Sequence, residues 1–328
     1  MATPLPPQTI VAVVGAGAMG AGIAQVAAVA GHPVRLLDNR PDVAARAVAG
    51  IRAQLVKLAE KGRLTAADAA AAGMRLIPAH EIADLAGAGL VVEAIVEDLA
   101  EKRALFADLE GIVGRDCILC TNTSSISVTA IGAALRHPER LAGLHFFNPA
   151  PLMALVEVVS GLASDPAVAE TLFATAAAWG KTPVHAKSTP GFIVNRVARP
   201  YYAEALRLAQ EGAADCATID AVMREAGGFR MGPFELMDLI GLDVNLAVTR
   251  SVWRAFFHDP RFLPSLLQQE LVDAGRLGRK SGRGFHDYRE GAAPPVAAAE
   301  PAQPVPAKIA LCGTSTATTA LAARLAAA

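Results

Sequence analysis

Net charge is almost missing from this chain: 30 Lys and Arg stand against 31 Asp and Glu, a formal balance of -1. That leaves no general attraction to nucleic acid or to an anionic membrane surface. Cysteine is scarce as well, four in 328 residues and unclustered, which fits a reducing, cytoplasmic compartment. Cys117 and Cys120 do form C-x-x-C, but they fall in an apolar run that reads as a strand. Positions i and i+3 of a strand point to opposite faces, so a shared metal is not expected and no metal site is assigned. Charge is absent altogether from Met1 to Val34, His32 and the terminus apart. A run of that length would ordinarily suggest a membrane span. Five glycines and a strand-turn-helix pattern argue otherwise, and the leader MATPLPPQ lacks the basic start of a targeting signal.

What is present organises itself around Thr9 to Gly31. An apolar run from Ile10 to Val14 reads as a buried parallel strand and breaks at Gly15-Ala16-Gly17-Ala18-Met19-Gly20, after which an alanine-rich helix follows. This is G-x-G-x-x-G in its proper setting. Gly15 permits the tight turn, Gly17 lets the backbone approach a pyrophosphate, and Gly20 lets the helix pack on its strand with its free N–H groups facing the anion. A second strand, Pro33 to Leu37, ends in Asp38, placed to accept the ribose hydroxyls of NAD. The alternative is a glycine-rich turn that binds nothing.

From Pro41 to Arg63 a helix shows an apolar stripe of Ala44, Val48, Ile51, Leu55 and Leu58, opposite Arg46, Arg52, Lys57 and Lys61. A second helix opens at Thr65 with Asp68 three residues on. The basic face is either solvated or takes the phosphates of a large acidic substrate. Strands return at Met74 to Ile77, Leu90 to Ile95 and Ile118 to Thr121, with a helix from Leu99 to Glu110. Alternating strand and helix predict a doubly wound parallel sheet, with functional groups at the C-terminal strand ends. Glu97 with Lys102, and Asn122 to Ser125, are the polar groups there, although Thr123 to Ser125 could merely cap the helix near Ser127.

Strands from Leu141 to Phe147 and Leu155 to Ser160 flank His145-Phe146-Phe147-Asn148-Pro149, with Glu157 inside LVEVV. Burying a carboxylate among Leu155, Val156, Val158 and Val159 is costly unless it is paired. His145 is a suitable partner and would make a general base; pairing of Glu157 with a lysine or arginine is the structural alternative.

NTSS, HFFNP, LVEVV, TPGFIVNR and MGPFELMDLIGLD, after the GAGAMGAGIAQVAA start, resemble the L-3-hydroxyacyl-CoA dehydrogenases, in particular the short-chain 3-hydroxybutyryl-CoA branch, over roughly 9–288. The resemblance implies NAD-dependent interconversion of L-3-hydroxyacyl-CoA and 3-ketoacyl-CoA, as in fatty-acid metabolism. It makes His145 the base, Glu157 its orienting carboxylate, Ser124 a hydrogen-bond donor to substrate and Asn195 the residue completing the substrate pocket. Cofactor positions fall on the glycine turn, Asp38, Glu97, Lys102, Ser124, Asn148 and Lys280, and a coenzyme A contact on Lys61. One departure is Gln54, where family members place a serine near the coenzyme.

The domain reading follows: 1–187 as a Rossmann-type NAD-binding domain carrying the helix pair of about 41–72, and 188–289 as an all-helical domain. In the second, Ile193, Val197, Tyr201, Ala205 and Leu208 form one expected stripe and Ile219, Val222, Met223 and Ala226 another. The resemblance implies a homodimer through this domain. Glu204 and Asp238 are expected to be solvated or capping rather than catalytic. An Ala/Pro-rich linker, 290–307, precedes an expected strand at Lys308 to Cys312 and a helix at Ala317 to Ala328, read as the start of a further, incomplete α/β unit and as dispensable for activity. The rival functions are oxidation of a free hydroxy acid, as by a gulonate-type dehydrogenase, and a crystallin-like dinucleotide-binding protein without turnover.

Overall fold

Short runs such as VAVV and LVVE, buried along their whole length, fit strands covered by helices on both faces. A computed structural model, which describes residues 2–300 and 308–326, places them in one sheet. The strands are β1 (Val11–Val14), β2 (Val34–Leu37), β3 (Leu76–Pro78), β4 (Leu90–Glu93), β5 (Ile118–Thr121), β6 (Leu141–Phe146), β7 (Leu155–Ser160) and β8 (Thr182–Lys187), in the order β3-β2-β1-β4-β5-β6-β7-β8. Val11 and Val13 pack into one core and Ala12 and Val14 into the other, so the sheet divides two apolar layers. Cys120 and Cys117 fall in different layers.

The doubly wound sheet is present, but it is not wholly parallel. β6 and β7 pair antiparallel, because only the short loop 147–154 joins them and a parallel crossover needs about a dozen residues or more. A helix, α6 in chain order (Pro166–Ala178), then returns the chain so that β8 lies parallel to β7. The sequence pattern missed β8: TPVHAK contains Pro183 and buries only Ala186, as suits an edge strand.

Around the sheet, α1 (Ala18–Val29) follows the glycine turn and α4 (Leu99–Ile112) follows β4. The pair α2 (Val43–Glu60) and α3 (Ala66–Arg75) buries Ala44, Val48, Ile51 and Leu55, and Thr65 caps α3 by accepting from the Asp68 amide at 3.0 Å. Arg52 departs from the solvated or phosphate-binding face: its guanidinium donates to the carbonyls of Gly73 and Leu76, ending α3. Ser127 caps the short α5 (Val128–Gly132).

Beyond β8 the chain is helical: α7 (Val194–Gln210), α8 (Cys216–Glu225), α9 (Pro233–Ile240), α10 (Leu242–Ala255) and α11 (Leu266–Asp273). Two expected stripes are displaced. α7 buries Arg199, Tyr202, Ala205 and Leu206 and exposes Val197, while α8 buries Ile219, Asp220 and Ala221 and exposes Val222. In each helix the inward face carries an ionisable residue, which an apolar periodicity cannot register. Nor is Asp238 solvated: it is buried and accepts from the amides of Phe285 and His286 and the Tyr288 hydroxyl, tying the end of the helical region onto α9. Glu204 does lie on the surface, paired with Arg207.

His286 Nε2 meets Asp220 at 2.8 Å in this enclosure. Burial alone would lower the imidazole's pKa, but the Asp220 hydrogen bond and the surrounding carboxylates outweigh it and raise it. A raised histidine contributes stability that is full below its unfolded value of about 6.5 and is lost as pH rises through the higher folded value. Burial also raises Asp238, which acts in the same direction at lower pH. Melting temperature should therefore fall as pH increases above about 6.5, and His286→Phe should flatten that slope; equal slopes in a pH series of thermal melts would refute it.

The expected strand at Lys308 to Cys312 is absent: an apolar run with no strand beside it has nothing to pair with. α12 (Thr316–Ala326) has no buried residue, and 290–300 is exposed apart from half-buried Ala297. Positions 301–307 of the expected linker and 327–328 of the expected helix lie outside the described residues. No described helix is long and apolar enough to cross a membrane.

Candidate active site

β1 and α1 meet at the glycine turn. Gly15 has φ +99° and its amide donates to the Leu37 carbonyl at 2.8 Å; a Cβ there would strike the Ala94 backbone. A Cβ on Gly20 would coincide with the Gly15 carbonyl oxygen, whereas one on Gly17 would meet nothing within 4 Å. Two glycines thus answer to internal packing and Gly17 to open space, which is the cradle an incoming phosphate needs. Ala18 and Met19 supply further N-terminal amides of α1, which no side chain caps.

Asp38 follows β2 and accepts from the Ala16 amide at 2.9 Å and from Arg40 through its amide and Nε. The Arg40 hydrogen bond, with help from the Ala16 amide, holds this carboxyl below its ordinary range. A cleft of about 770 Å³ runs from Gly15, Gly17 and Asp38 past Ala94 to Glu101 and Asp108. Its shape and donors fit an adenine dinucleotide.

Past β4 a chain of charges runs from the buried Glu93 and Lys102 out to the exposed Glu97. Lys102, 1 % exposed, sits 2.6 Å from Glu93 and 3.3 Å from Glu97, and Glu93 also accepts from the Thr121 hydroxyl and the Ile95 amide. Glu97 Oε1 in turn accepts from Thr123 Oγ1 and from the amides of Ser124 and Ser125. Burial would raise the Glu97 pKa, but Thr123, Lys102 and the two serines together hold it low. Glu97, Lys102 and Ser124 therefore form one unit, with the Lys102 ammonium spent on two carboxylates. Glu93 was missed in the sequence, although a carboxylate in an apolar strand was the available signal, as it was for Glu157.

The antiparallel register puts His145 directly opposite Glu157. His145 Nδ1 lies 2.7 Å from Glu157 Oε2, and both residues are buried. Glu157 Oε1 accepts from the amides of Ile193 and Val194 at 3.0 and 2.9 Å, at the start of α7. Burial would raise this carboxyl, yet the His145 hydrogen bond and the two amides keep it below its ordinary value. With Glu157 ionised, Nδ1 must be the donor, which leaves Nε2 to accept a proton. Phe147 and Phe192 flank the imidazole with ring centroids 4.6 and 5.6 Å away. Phe192 has φ +46°, rare for a bulky residue, immediately before the two amides that hold Glu157. No sequence signal marked Phe192.

Asn195 stands on the first turn of α7, beside this pair, and Asn148 is exposed in the loop after β6. Phe146 donates its amide to Asn122 Oδ1, joining the ends of β5 and β6. Two further predicted residues have surroundings of their own. Lys61 is exposed at the C-terminal end of α2, and Lys280 is bound to Asp243 at 2.6 and 2.7 Å within the helical region. Gln54 is exposed on α2.

Comparison with known proteins accords with this geometry. Residues 10–189 match the family model "3-hydroxyacyl-CoA dehydrogenase, NAD binding domain" and residues 191–288 the model "3-hydroxyacyl-CoA dehydrogenase, C-terminal domain". The chain is 57 % identical over 279 residues to 3-hydroxyadipyl-CoA dehydrogenase of Escherichia coli, covering 85 % of this chain and 59 % of that protein, so it spans about three fifths of that relative's length. It is 41 % identical to a probable 3-hydroxybutyryl-CoA dehydrogenase of Bacillus subtilis, covering 85 % of this chain and 96 % of the relative. The crystal structure of (S)-3-hydroxybutyryl-CoA dehydrogenase from Ralstonia eutropha superposes with a TM-score of 0.83 at 39 % identity, over 86 % of this chain and all of that one. Two family models in tandem across residues 10–288, with relatives above 40 % identity over most of the chain, mean that it belongs to the 3-hydroxyacyl-CoA dehydrogenase family.

Proposed function

We propose that this protein is an NAD-dependent oxidoreductase that interconverts L-3-hydroxyacyl-CoA and 3-ketoacyl-CoA of short chain, such as 3-hydroxybutyryl-CoA and acetoacetyl-CoA. The observation that carries the proposal is the buried His145–Glu157 pair at 2.7 Å, at the head of the helix that bears Asn195. NAD, when bound, supplies the hydride acceptor. His145 Nε2 takes the proton of the 3-hydroxyl, and Glu157 holds the ring and offsets its positive charge. In the reverse direction the protonated imidazole returns the proton to the 3-keto oxygen. Ser124 and Asn195 hold the substrate oxygens, and the glycine turn, Asp38, Asn148 and the Glu97–Lys102 unit hold the dinucleotide. Lys102 acts there through Glu97, and we assign Lys61 to the coenzyme and Lys280 to the cofactor on family resemblance.

The names of the relatives agree on a 3-hydroxyacyl-CoA and differ in the acyl group. Initial rates of NADH oxidation with acetoacetyl-CoA test the proposal; no oxidation above the substrate-free rate would refute it. Cofactor choice should favour NADH over NADPH by at least about tenfold in kcat/KM, because Asp38 opposes a 2′-phosphate and its pairing with Arg40 ties up the nearest cation. Equal efficiencies would remove that role from Asp38. We further propose a homodimer formed through the helical region, whose exposed Phe257, Leu263 and Leu266 suit a subunit contact, and a cytoplasmic location, with which four free cysteines agree.

A further inference from the structure

Three lysine or arginine side chains are buried among the described residues: Lys102, Arg140 and Arg199. The first two face carboxylates, Lys102 those of Glu93 and Glu97 and Arg140 that of Glu110. Arg199, 4 % exposed on α7, faces none within the 4.0 Å that defines an ion pair. Neutral groups hold it instead. Nε donates to the Asn195 carbonyl at 3.0 Å, and Nη1 to the Asn245 carbonyl at 3.2 Å and the Thr249 hydroxyl at 3.0 Å. Its guanidinium carbon lies 4.8 Å from the centre of the Tyr202 ring. Nη2 has no acceptor among the described residues, and it is not one of the unpartnered atoms sealed from solvent.

A second donor is stranded beside it. Asn245 is 1 % exposed; its Oδ1 accepts from Gln268, but its Nδ2 is enclosed with no partner. The enclosure therefore holds a cation with no carboxylate and one unused nitrogen, Nη2, together with a spare amide donor. An unpaired buried donor or cation is costly, and burial depresses the Arg199 pKa accordingly. A carboxylate is the group that removes the imbalance, since its two oxygens suit a guanidinium fork and can accept from an amide as well.

The place of the enclosure says which carboxylate. α7 starts at the catalytic pair, where Glu157 takes the amides of Ile193 and Val194; Asn195 follows, and Arg199 lies one turn further, ~6 Å along the helix axis. α10, which carries Asn245 and Thr249, approaches the same loop: a Cβ on Gly191 would lie 3.1 Å from Val252. A few methylene groups beyond the reacting carbon span that distance. We propose that Arg199, assisted by Asn245 Nδ2, receives a carboxylate at the far end of the acyl chain, so that among short acyl-CoA substrates those ending in a carboxylate are preferred over those ending in a methyl group. This rests on the 3-hydroxyacyl-CoA reading above.

The test compares kcat/KM for 3-ketoadipyl-CoA, six carbons ending in a carboxylate, with that for 3-ketohexanoyl-CoA, six carbons ending in a methyl group. The wild-type chain should favour the carboxylate by about 10- to 100-fold, the scale of charge-assisted hydrogen bonds to a buried group. Arg199→Met should bring the ratio close to one, and Arg199→Lys should restore part of it. A wild-type ratio near one, or a ratio unchanged in Arg199→Met, overturns the assignment; the latter is what a purely structural arginine would give. Should Arg199→Met not fold, calorimetry on the wild-type chain decides between the unreactive adipyl-CoA and hexanoyl-CoA. Tighter binding of adipyl-CoA supports the assignment, and equal or weaker binding overturns it. Should NADH oxidation fail with every ketoacyl-CoA, acetoacetyl-CoA included, the oxidoreductase reading falls, and the same calorimetric comparison still decides the fate of Arg199.

Discussion

Replacing His145 with alanine should lower kcat by about 10²–10⁴, the usual scale of general acid–base catalysis, with the Kd for NADH little changed. The separation follows from where the residue sits. His145 lies near the end of β6, whereas the glycine turn and Asp38 that receive the dinucleotide belong to β1, α1 and β2. Loss of the imidazole leaves Glu157 still accepting two amides, so the fold keeps its carboxylate anchored. Single-turnover rates beside a fluorescence titration with NADH check both halves. Near-normal turnover in the variant would end the proposal that His145 is the base.

Glu157→Gln should cost a similar 10²–10⁴ in turnover for a different reason, one of tautomer. The carboxylate accepts on both oxygens: from His145 on one side and from Ile193 and Val194 on the other. A carboxamide can satisfy only one of these demands with oxygen. If its oxygen keeps the two amides, its NH₂ faces Nδ1 and forces the imidazole proton onto Nε2, where the lone pair is needed. Glu157→Ala goes further, leaving three donors without an acceptor, and should destabilise the protein by about 3–5 kcal/mol, the scale for breaking a buried pair. The two variants should thus part company in a thermal melt while agreeing in turnover. A Gln variant with ordinary kcat would show that the ring is oriented by something else.

Much of this is legible in the amino-acid sequence. Buried apolar strands, glycine spacing and the acid after the second strand identify the dinucleotide half, because each answers to a local rule. The cost of a carboxylate in an apolar strand pointed Glu157 toward His145. Applied with equal rigour to Glu93, the last residue of LVVE, the same argument finds the partner of Lys102. Elsewhere the local rules fail for identifiable reasons. The reversal at β7 depends on loop length, and β8 is too polar to register. In α7 and α8 the inward faces include Arg199 and Asp220, so periodicity read from apolar residues alone chose neighbouring positions. KIALC reads as a strand by composition, but a strand exists only beside another.

The pairing of β6 with β7 has a consequence for how this family tolerates insertions and deletions. His145 and Glu157 meet because they are direct partners on one face of an antiparallel ladder. Slipping that ladder by one residue would turn the carboxylate to the opposite side of the sheet. The connecting loop, 147–154, can absorb a change of length in its exposed part, but a single residue gained or lost within either strand would separate the acid from the base it serves. Length variation among functional relatives should therefore gather between Phe147 and Ala154 and stop at the strand ends.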